Sequence, residues 1–240
     1  MAAGKGTRLA LEEIPKCLVP INENPLLYYI LSSLAPLHLK ELLVVGGYQY
    51  ELLKSHFLDL KPSMQTIFIE NKDFDKGSIL TVAKAVAGLV DDDFLLMNGD
   101  HLYSQFIMKK VAAYASSSNF NKVTIVCDRD RDLTDDDMKV EMENGSFKCM
   151  SKKLSVYEYG YVGMTLVPKQ RVNNYISCVH QLLDAGHTNY NVEEIVNVLR
   201  RENQEAVQIL DISGSAWIEV DTPADLSLAH LKIKEVLAHT

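Results

Sequence analysis

The sequence predicts an α/β fold, an open mixed sheet flanked by helices. Short apolar runs rich in β-formers alternate with amphipathic segments, the pattern of strands joined by crossover helices. Those runs are apolar throughout rather than at every second residue, as strands covered on both faces are. The 240 residues, 47% of them hydrophobic, suffice for one well-buried core and not for two independent ones. A single domain spanning 1–240 is therefore expected.

Taken in order, residues 42–45, ahead of Gly46-Gly47, form the first strand candidate, followed by 66–69, 94–97 and 123–126. Among them, residues 25–34, 51–60, 78–89 and 105–115 place apolar side chains three and four apart, the period of a helix buried on one face. After about Asp128 the rhythm changes. Residues 138–142 and 147–150 flank Glu143-Asn144-Gly145, and Asn-Gly between two strand candidates signals a hairpin. A further strand is read at 159–167, helices near 170–183 and 192–201, and the last strands at 206–212 and 217–220. Thr222 as N-cap and Pro223 in the first turn open a terminal helix. The acidic run Asp135 to Asp137 reads as a solvated loop, with a substrate-bordering loop as the alternative.

Composition excludes several classes. A formal charge of −8 argues against nucleic-acid binding driven by the phosphate backbone, so any phosphate site must be local. No run of about 18 apolar residues and no basic-then-apolar leader occurs, which predicts no membrane insertion and a soluble, cytoplasmic chain. Cys17, Cys127, Cys149 and Cys178 lack metal or redox spacing and read as reduced structural thiols.

The most informative segment is Ala2-Ala3-Gly4-Lys5-Gly6-Thr7-Arg8-Leu9, with a second basic site at Pro15-Lys16. Small residues let backbone N–H groups approach a triphosphate, and Arg8 and Lys16 would supply charge. A Walker loop fails on spacing, and a dinucleotide fingerprint fails because Leu9 is neither glycine nor alanine. An ordinary glycine-rich turn is the alternative.

Asp100 ends an apolar strand candidate, where open α/β sheets place ligands, and Asp221 ends another. Two carboxylates converging on Mg2+ would suit a hard, oxygen-seeking ion. A strand-end turn for Asp100 and a helix-dipole charge for Asp221 are the alternatives. His101 is not assigned as a general base, because consecutive strand residues point to opposite faces. Glu219 either shares the face of Asp221 or makes a structural hydrogen bond. Tyr157, Tyr159 and Tyr161 alternate along a strand candidate and suit either packing or a pocket for a cationic head group.

The N-terminal loop followed by Pro15-Lys16 resembles the signature of the sugar-nucleotidyltransferase-like family, the MobA-like NTP transferases, over residues 2–229. The short gap from Leu9 to Pro15, Lys76-Gly77-Ser78, the run from Asn98 to Ser104 and Trp217-Ile218-Glu219-Val220-Asp221-Thr222 are similar to the branch of cytidylyltransferases acting on inositol 1-phosphate, phosphocholine or 2-aminoethylphosphonate. The resemblance implies a Rossmann-like sheet of the nucleotide-diphospho-sugar transferase type, divided into a nucleotide-binding half (about 1–128) and an acceptor-binding half (about 129–240). It also implies Mg2+-dependent transfer of a cytidylyl group from CTP to a small phosphate or phosphonate acceptor, with release of pyrophosphate. Asp100 and Asp221 would be the metal ligands. Arg8, Lys16, Asp100 and Asp221 would carry catalysis, and Ala2 to Arg8, Lys16, Lys76, Gly77, Ser78 and Asp100 would hold the nucleotide. Asp128, Lys139, Lys152 and Glu194 would face the acceptor. One departure stands out: the family's first apolar strand is missing ahead of Ala2, so either the start lies upstream, the chain is truncated or another segment fills the gap; open sheet edges would lead either to weak nucleotide binding or to a homodimer. A sugar-1-phosphate nucleotidyltransferase using another NTP, and a catalytically silent nucleotide-binding module, are the rival readings.

Overall fold

A computed structural model describes residues 1–9, 14–62, 64–88 and 92–238. Most of the gap between Leu9 and Pro15, and the end of the helix expected at 78–89, thus lie outside the described residues. The strands are β1 (Pro20–Ile21), β2 (Asn24–Pro25), β3 (Glu41–Gly46), β4 (Gln65–Glu70), β5 (Phe94–Met97), β6 (His101–Tyr103), β7 (Val123–Asp128), β8 (Lys139–Glu143), β9 (Ser146–Ser151), β10 (Tyr159–Val167), β11 (Val207–Asp211) and β12 (Trp217–Glu219). The helices are α1 (Leu26–Ser33), α2 (Tyr50–Asp59), α3 (Ile79–Ala85), α4 (Gln105–Ala115), α5 (Val172–Asp184), α6 (Glu194–Glu202) and α7 (Pro223–Ala238). The chain has a mixed α/β architecture, as expected. No helix among the described residues is long and apolar enough to cross a membrane.

The chain divides into two compact units that interleave in sequence. The first comprises Met1–Lys76, Asn98–Ala113 and Ser215–Thr240; the second comprises Gly77–Met97 and Tyr114–Gly214.

In the first unit β3 and β4 pair in parallel, β1 and β2 form a small antiparallel hairpin, and β6 pairs antiparallel with β12. No strand precedes β1 among the described residues; Ala2 makes a single parallel bridge to Gly46. One core cluster joins Leu9, Val19, Ile21, Leu26, Tyr29 and Leu102 to Ile218, Val220, Ala229 and Ile233. It seats β6, β12 and α7 around the turn that carries Asp100. A second gathers Cys17, Leu18, Leu27, Val44, Leu53 and Phe57, so the two residues that follow Lys16 are held in packed core. Burial of such side chains contributes roughly 1.5–3 kcal/mol each.

The second unit is built on a mixed sheet in the order β11-β7-β10-β8-β9, with β5 also paired to β10. Only β11 and β7 run parallel within it. Eight of the nine β10 residues are buried, which is why this central strand reads as a continuous apolar run rather than an alternating one. The Asn-Gly hairpin forms as expected, with Asn144 at φ 51° and Gly145 at φ 75° joining β8 to β9. Helix α6 packs against β9, and the buried Asn197 pins it there, its amide donating to the Met150 carbonyl and accepting from the Met150 N–H, both at 2.9 Å. The four cysteines are free thiols, and Cys17, Cys127 and Cys178 are buried.

Candidate active site

The site forms in the first unit from four separate stretches of chain. Gly6 takes φ 66°, and a Cβ there would stand 3.0 Å from Cβ of Lys16. Glycine is therefore needed both for the left-handed turn and for the close approach to that lysine. The loop is anchored at its start, where Ala2 donates to the Val45 carbonyl at 2.8 Å and Tyr48 donates to the Ala3 carbonyl at 3.1 Å. A single 3-10 turn, Thr7–Leu9, follows. Space around Gly4 is open, and the Lys5 ammonium lies over the Tyr48 ring, 5.5 Å from its centre.

Asp100 occupies the turn between β5 and β6, and the Val220 N–H donates to its carbonyl at 2.9 Å, bringing the ends of β6 and β12 together. Asp221 lies two residues beyond the end of β12. Its backbone N–H and that of Thr222 both donate to Asp225 Oδ2, at 3.2 and 2.8 Å, while Thr222 Oγ1 accepts from the Asp225 N–H at 3.3 Å. The expected cap at Thr222 is thus a reciprocal capping box. Because Thr222 and Asp225 satisfy the helix end, the Asp221 carboxylate is released to the site.

There the charges meet. The Lys16 ammonium donates to Asp100 Oδ2 at 2.6 Å and to Asp221 Oδ1 at 2.5 Å, and Arg8 Nη2 lies 2.7 Å from Asp221 Oδ2. Lys16 is 12% exposed, while Arg8 is half exposed. Burial by itself would lower the Lys16 pKa, but the two carboxylates reverse that and raise it. Burial would likewise raise that of Asp100; the His101 ring and the Lys16 ammonium instead hold it well below the usual carboxylate range. Arg8, Lys16, Asp100 and Asp221 are thus brought together.

His101 lies beside Asp100 in this cluster. Asp100 lies in the turn and the strand begins at His101, so alternation along a strand does not separate them. The buried His101 ring places Nδ1 2.6 Å from Asp100 Oδ1 and Nε2 3.9 Å from Glu219 Oε2, and Glu219 stands directly opposite it in the ladder. Burial opposes the protonated ring, yet Asp100 and Glu219 raise its pKa; burial raises that of Glu219. His101 faces Glu219 and Tyr103 faces Trp217 across the ladder, a register that residue spacing alone does not reveal.

The remaining candidates have other partners. Lys76 pairs with Asp73 at 2.9 Å in the first unit. In the second unit, Gly77 donates to the Thr188 carbonyl at 3.0 Å, and Ser78 Oγ accepts from the Val192 N–H at 2.8 Å rather than capping α3. Asp128 Oδ1 accepts from the Asp130 N–H at 2.8 Å. Lys139 is buried, its ammonium held by the carbonyls of Thr134 and Lys152 at 2.5 and 3.0 Å. Lys152 faces Asp136 at 3.4 Å, and Glu194 bonds Asn197 at 2.7 Å and Arg201 at 2.8 Å. The three tyrosines have three settings: Lys139 lies over Tyr157, Arg129 over Tyr159, and Tyr161 is buried with its hydroxyl on Thr165.

The residues fit a divalent cation. Asp100 and Asp221 already converge on one positive charge, the Lys16 ammonium, and both offer the hard oxygen that such an ion prefers. Asp100, His101 and Glu219 also bring ligand atoms within 4.8 Å of one another.

Residues 1–142 match the MobA-like NTP transferase domain, a family that generally uses a divalent metal. The bifunctional IPC transferase and DIPP synthase of Aquifex aeolicus is 22% identical over 95% of this chain, and the match covers 50% of that protein, so the chain spans about half its length. The CTP:phosphoglutamine cytidylyltransferase of Campylobacter jejuni is 24% identical over 95% of this chain and 96% of its own. The inositol-1-phosphate CTP transferase from T. maritima superposes with a TM-score of 0.79 at 20% identity, over 99% of this chain and 95% of that one. With more than half of its length matched, the chain belongs to the MobA-like NTP transferase family, nucleotidyltransferases that count cytidylyltransferases among this chain's relatives.

Proposed function

We propose that this protein transfers a cytidylyl group from CTP to a small phosphate- or phosphonate-bearing acceptor and releases pyrophosphate, with Mg2+ as the metal. The observation that carries the reading is the convergence of Asp100 and Asp221 on one partly buried cation, beside a glycine loop bearing Arg8. A relative named CTP:phosphoglutamine cytidylyltransferase and one named CMP-5'-(3-aminopropyl)phosphonate synthase align over nearly the whole chain.

The chemistry brings an anionic acceptor oxygen onto the α-phosphorus of another anion. Two unit charges about 4 Å apart repel by roughly 4 kcal/mol at an effective dielectric near 20, so positive charge must be in place first. Asp100 and Asp221 would hold the metal, which when bound supplies Lewis-acid stabilisation of the charge developing on the phosphoryl oxygens. Lys16, free to exchange its carboxylate partners for phosphate oxygens, and Arg8 neutralise the departing pyrophosphate. Backbone N–H groups of the loop from Gly4 to Arg8 position its oxygens, with Gly4 leaving room for them. Ala2, Ala3, Lys76, Gly77 and Ser78 are assigned to the nucleotide, and Asp128, Lys139, Lys152 and Glu194 to the acceptor. Catalysis here is positioning plus electrostatics.

The test is pyrophosphate release by the purified chain with Mg2+, each common NTP, and inositol 1-phosphate, phosphocholine, 2-aminoethylphosphonate or glucose 1-phosphate. Release with CTP and one of the first three acceptors, abolished by Asp100→Ala and Asp221→Ala, is expected. Release with only another NTP and the sugar phosphate would replace the cytidylyl reading, and silence with every pair would favour a nucleotide-binding module.

A further inference from the structure

The Asp100 carboxylate has its two oxygens in different company. Oδ2 faces the Lys16 ammonium at 2.6 Å, in the direction of Asp221, whereas Oδ1 accepts from His101 Nδ1 at 2.6 Å. The imidazole cannot easily turn away. It is buried, its plane lies within 1° of the Trp217 indole and within 23° of the Tyr103 ring, and the ladder sets Glu219 opposite it. With Nδ1 spent on Oδ1, the ring is placed behind the carboxylate, and a nitrogen ligand is in any case a poorer partner than oxygen for a hard cation.

We propose that His101 is a positioning residue, which clamps one oxygen of Asp100 so that the other is presented in fixed orientation to the metal; this rests on the reading of Asp100 as a metal ligand. Hydrogen bonds from behind a ligating carboxylate fix its rotamer, and their loss typically weakens metal binding 10- to 100-fold. Asp221 gains its fixed position differently, through the capping box that holds its backbone, so only the Asp100 arm depends on His101.

The experiment measures Mn2+ binding to the whole nucleotide-free chain, from the free-ion electron paramagnetic resonance signal, for wild type, His101→Ala, His101→Asn and Asp100→Ala. The side-chain N–H of asparagine stands close to the position of Nδ1 and can donate to Oδ1. His101→Ala is expected to weaken Mn2+ binding about 10- to 100-fold, and His101→Asn to bind within about threefold of wild type. Wild-type affinity in His101→Ala would overturn the proposal. So would equal weakness in both His101 variants, because the hydrogen bond would then not be what matters. Emission from Trp217, the single tryptophan, reports whether each variant keeps the ring packing. If Asp100→Ala binds Mn2+ as wild type does, the metal reading of Asp100 fails and the proposal falls with it; if Asp100→Ala loses binding and His101→Ala does not, only the role of His101 falls.

Discussion

The Lys16 ammonium lies 2.6 Å from Oδ2 of Asp100. Together with its 2.5 Å contact to Asp221, this makes the lysine an internal counter-ion where a divalent cation is proposed to bind. Ammonium and metal must then compete for the same oxygens. Lys16→Met is expected to bind Mn2+ several-fold more tightly without nucleotide, by titration calorimetry. The same variant should lose about 10²- to 10³-fold in turnover, the usual cost of removing one electrostatic stabiliser. A loss of only a few fold in turnover would remove Lys16 from the proposed role.

Asp225 accepts from Thr222 N, Thr222 Oγ1 and Asp221 N within 3.2 Å. Removing it leaves the first turn of α7 without its reciprocal cap. Asp225→Ala should lower stability by about 0.5–2 kcal/mol in urea unfolding.

Gly77 and Gly4 should respond in opposite ways to alanine. A Cβ at Gly77 would collide with the Tyr190 carbonyl and the Asn189 backbone, which cannot swing aside as a side chain would, whereas a Cβ at Gly4 meets nothing within 4 Å. Gly77→Ala is expected to cost about 1–3 kcal/mol. Gly4→Ala should unfold within about 0.5 kcal/mol of wild type while weakening the binding of CTP, as read by calorimetry.

Asp211 gives a pH signature. Burial would raise its pKa, but hydrogen bonds from Ser213 and Arg129 outweigh that and hold it at about 2, against an ordinary 3.8. A depressed carboxylate contributes stability that is fully present above its unfolded value and lost as the pH falls through its folded one. Thermal midpoints of the wild type should therefore fall between about pH 4 and pH 2 more steeply than those of Asp211→Asn.

The long elements were legible because each carries its own period: the apolar run of β10, the amphipathic spacing of α5, the Asn-Gly turn between β8 and β9. The hairpin of β1 and β2 was not, since Pro20 and Pro25 remove backbone donors and leave two residues on each side, too few for any pattern. Nor was β6, whose three residues become a strand only through register with β12. The interleaving of the two units left no trace in composition, because the chain passes from one to the other at ordinary turn and helix residues such as Gly77 and Tyr114. At the site, Arg8, Lys16, Asp100 and Asp221 were readable as residue types in a familiar order. The ion pairing of Lys16 and the grip of His101 were not readable, because both depend on where turns end and strands begin.

The buried thiols give the two units separate clocks. Burial pushes Cys17 up to about 12 and Cys127 well above its ordinary value, and burial with the neighbouring Glu202 takes Cys178 to about 12. At neutral pH these cysteines are unreactive protonated thiols, and an alkylating reagent must wait for local opening before it can act. Cys17 lies in the first unit, Cys127 and Cys178 in the second. Rates of modification mapped by peptide mass would thus time the opening of each unit in the unaltered protein, and show whether a nucleotide slows one of them, both or neither.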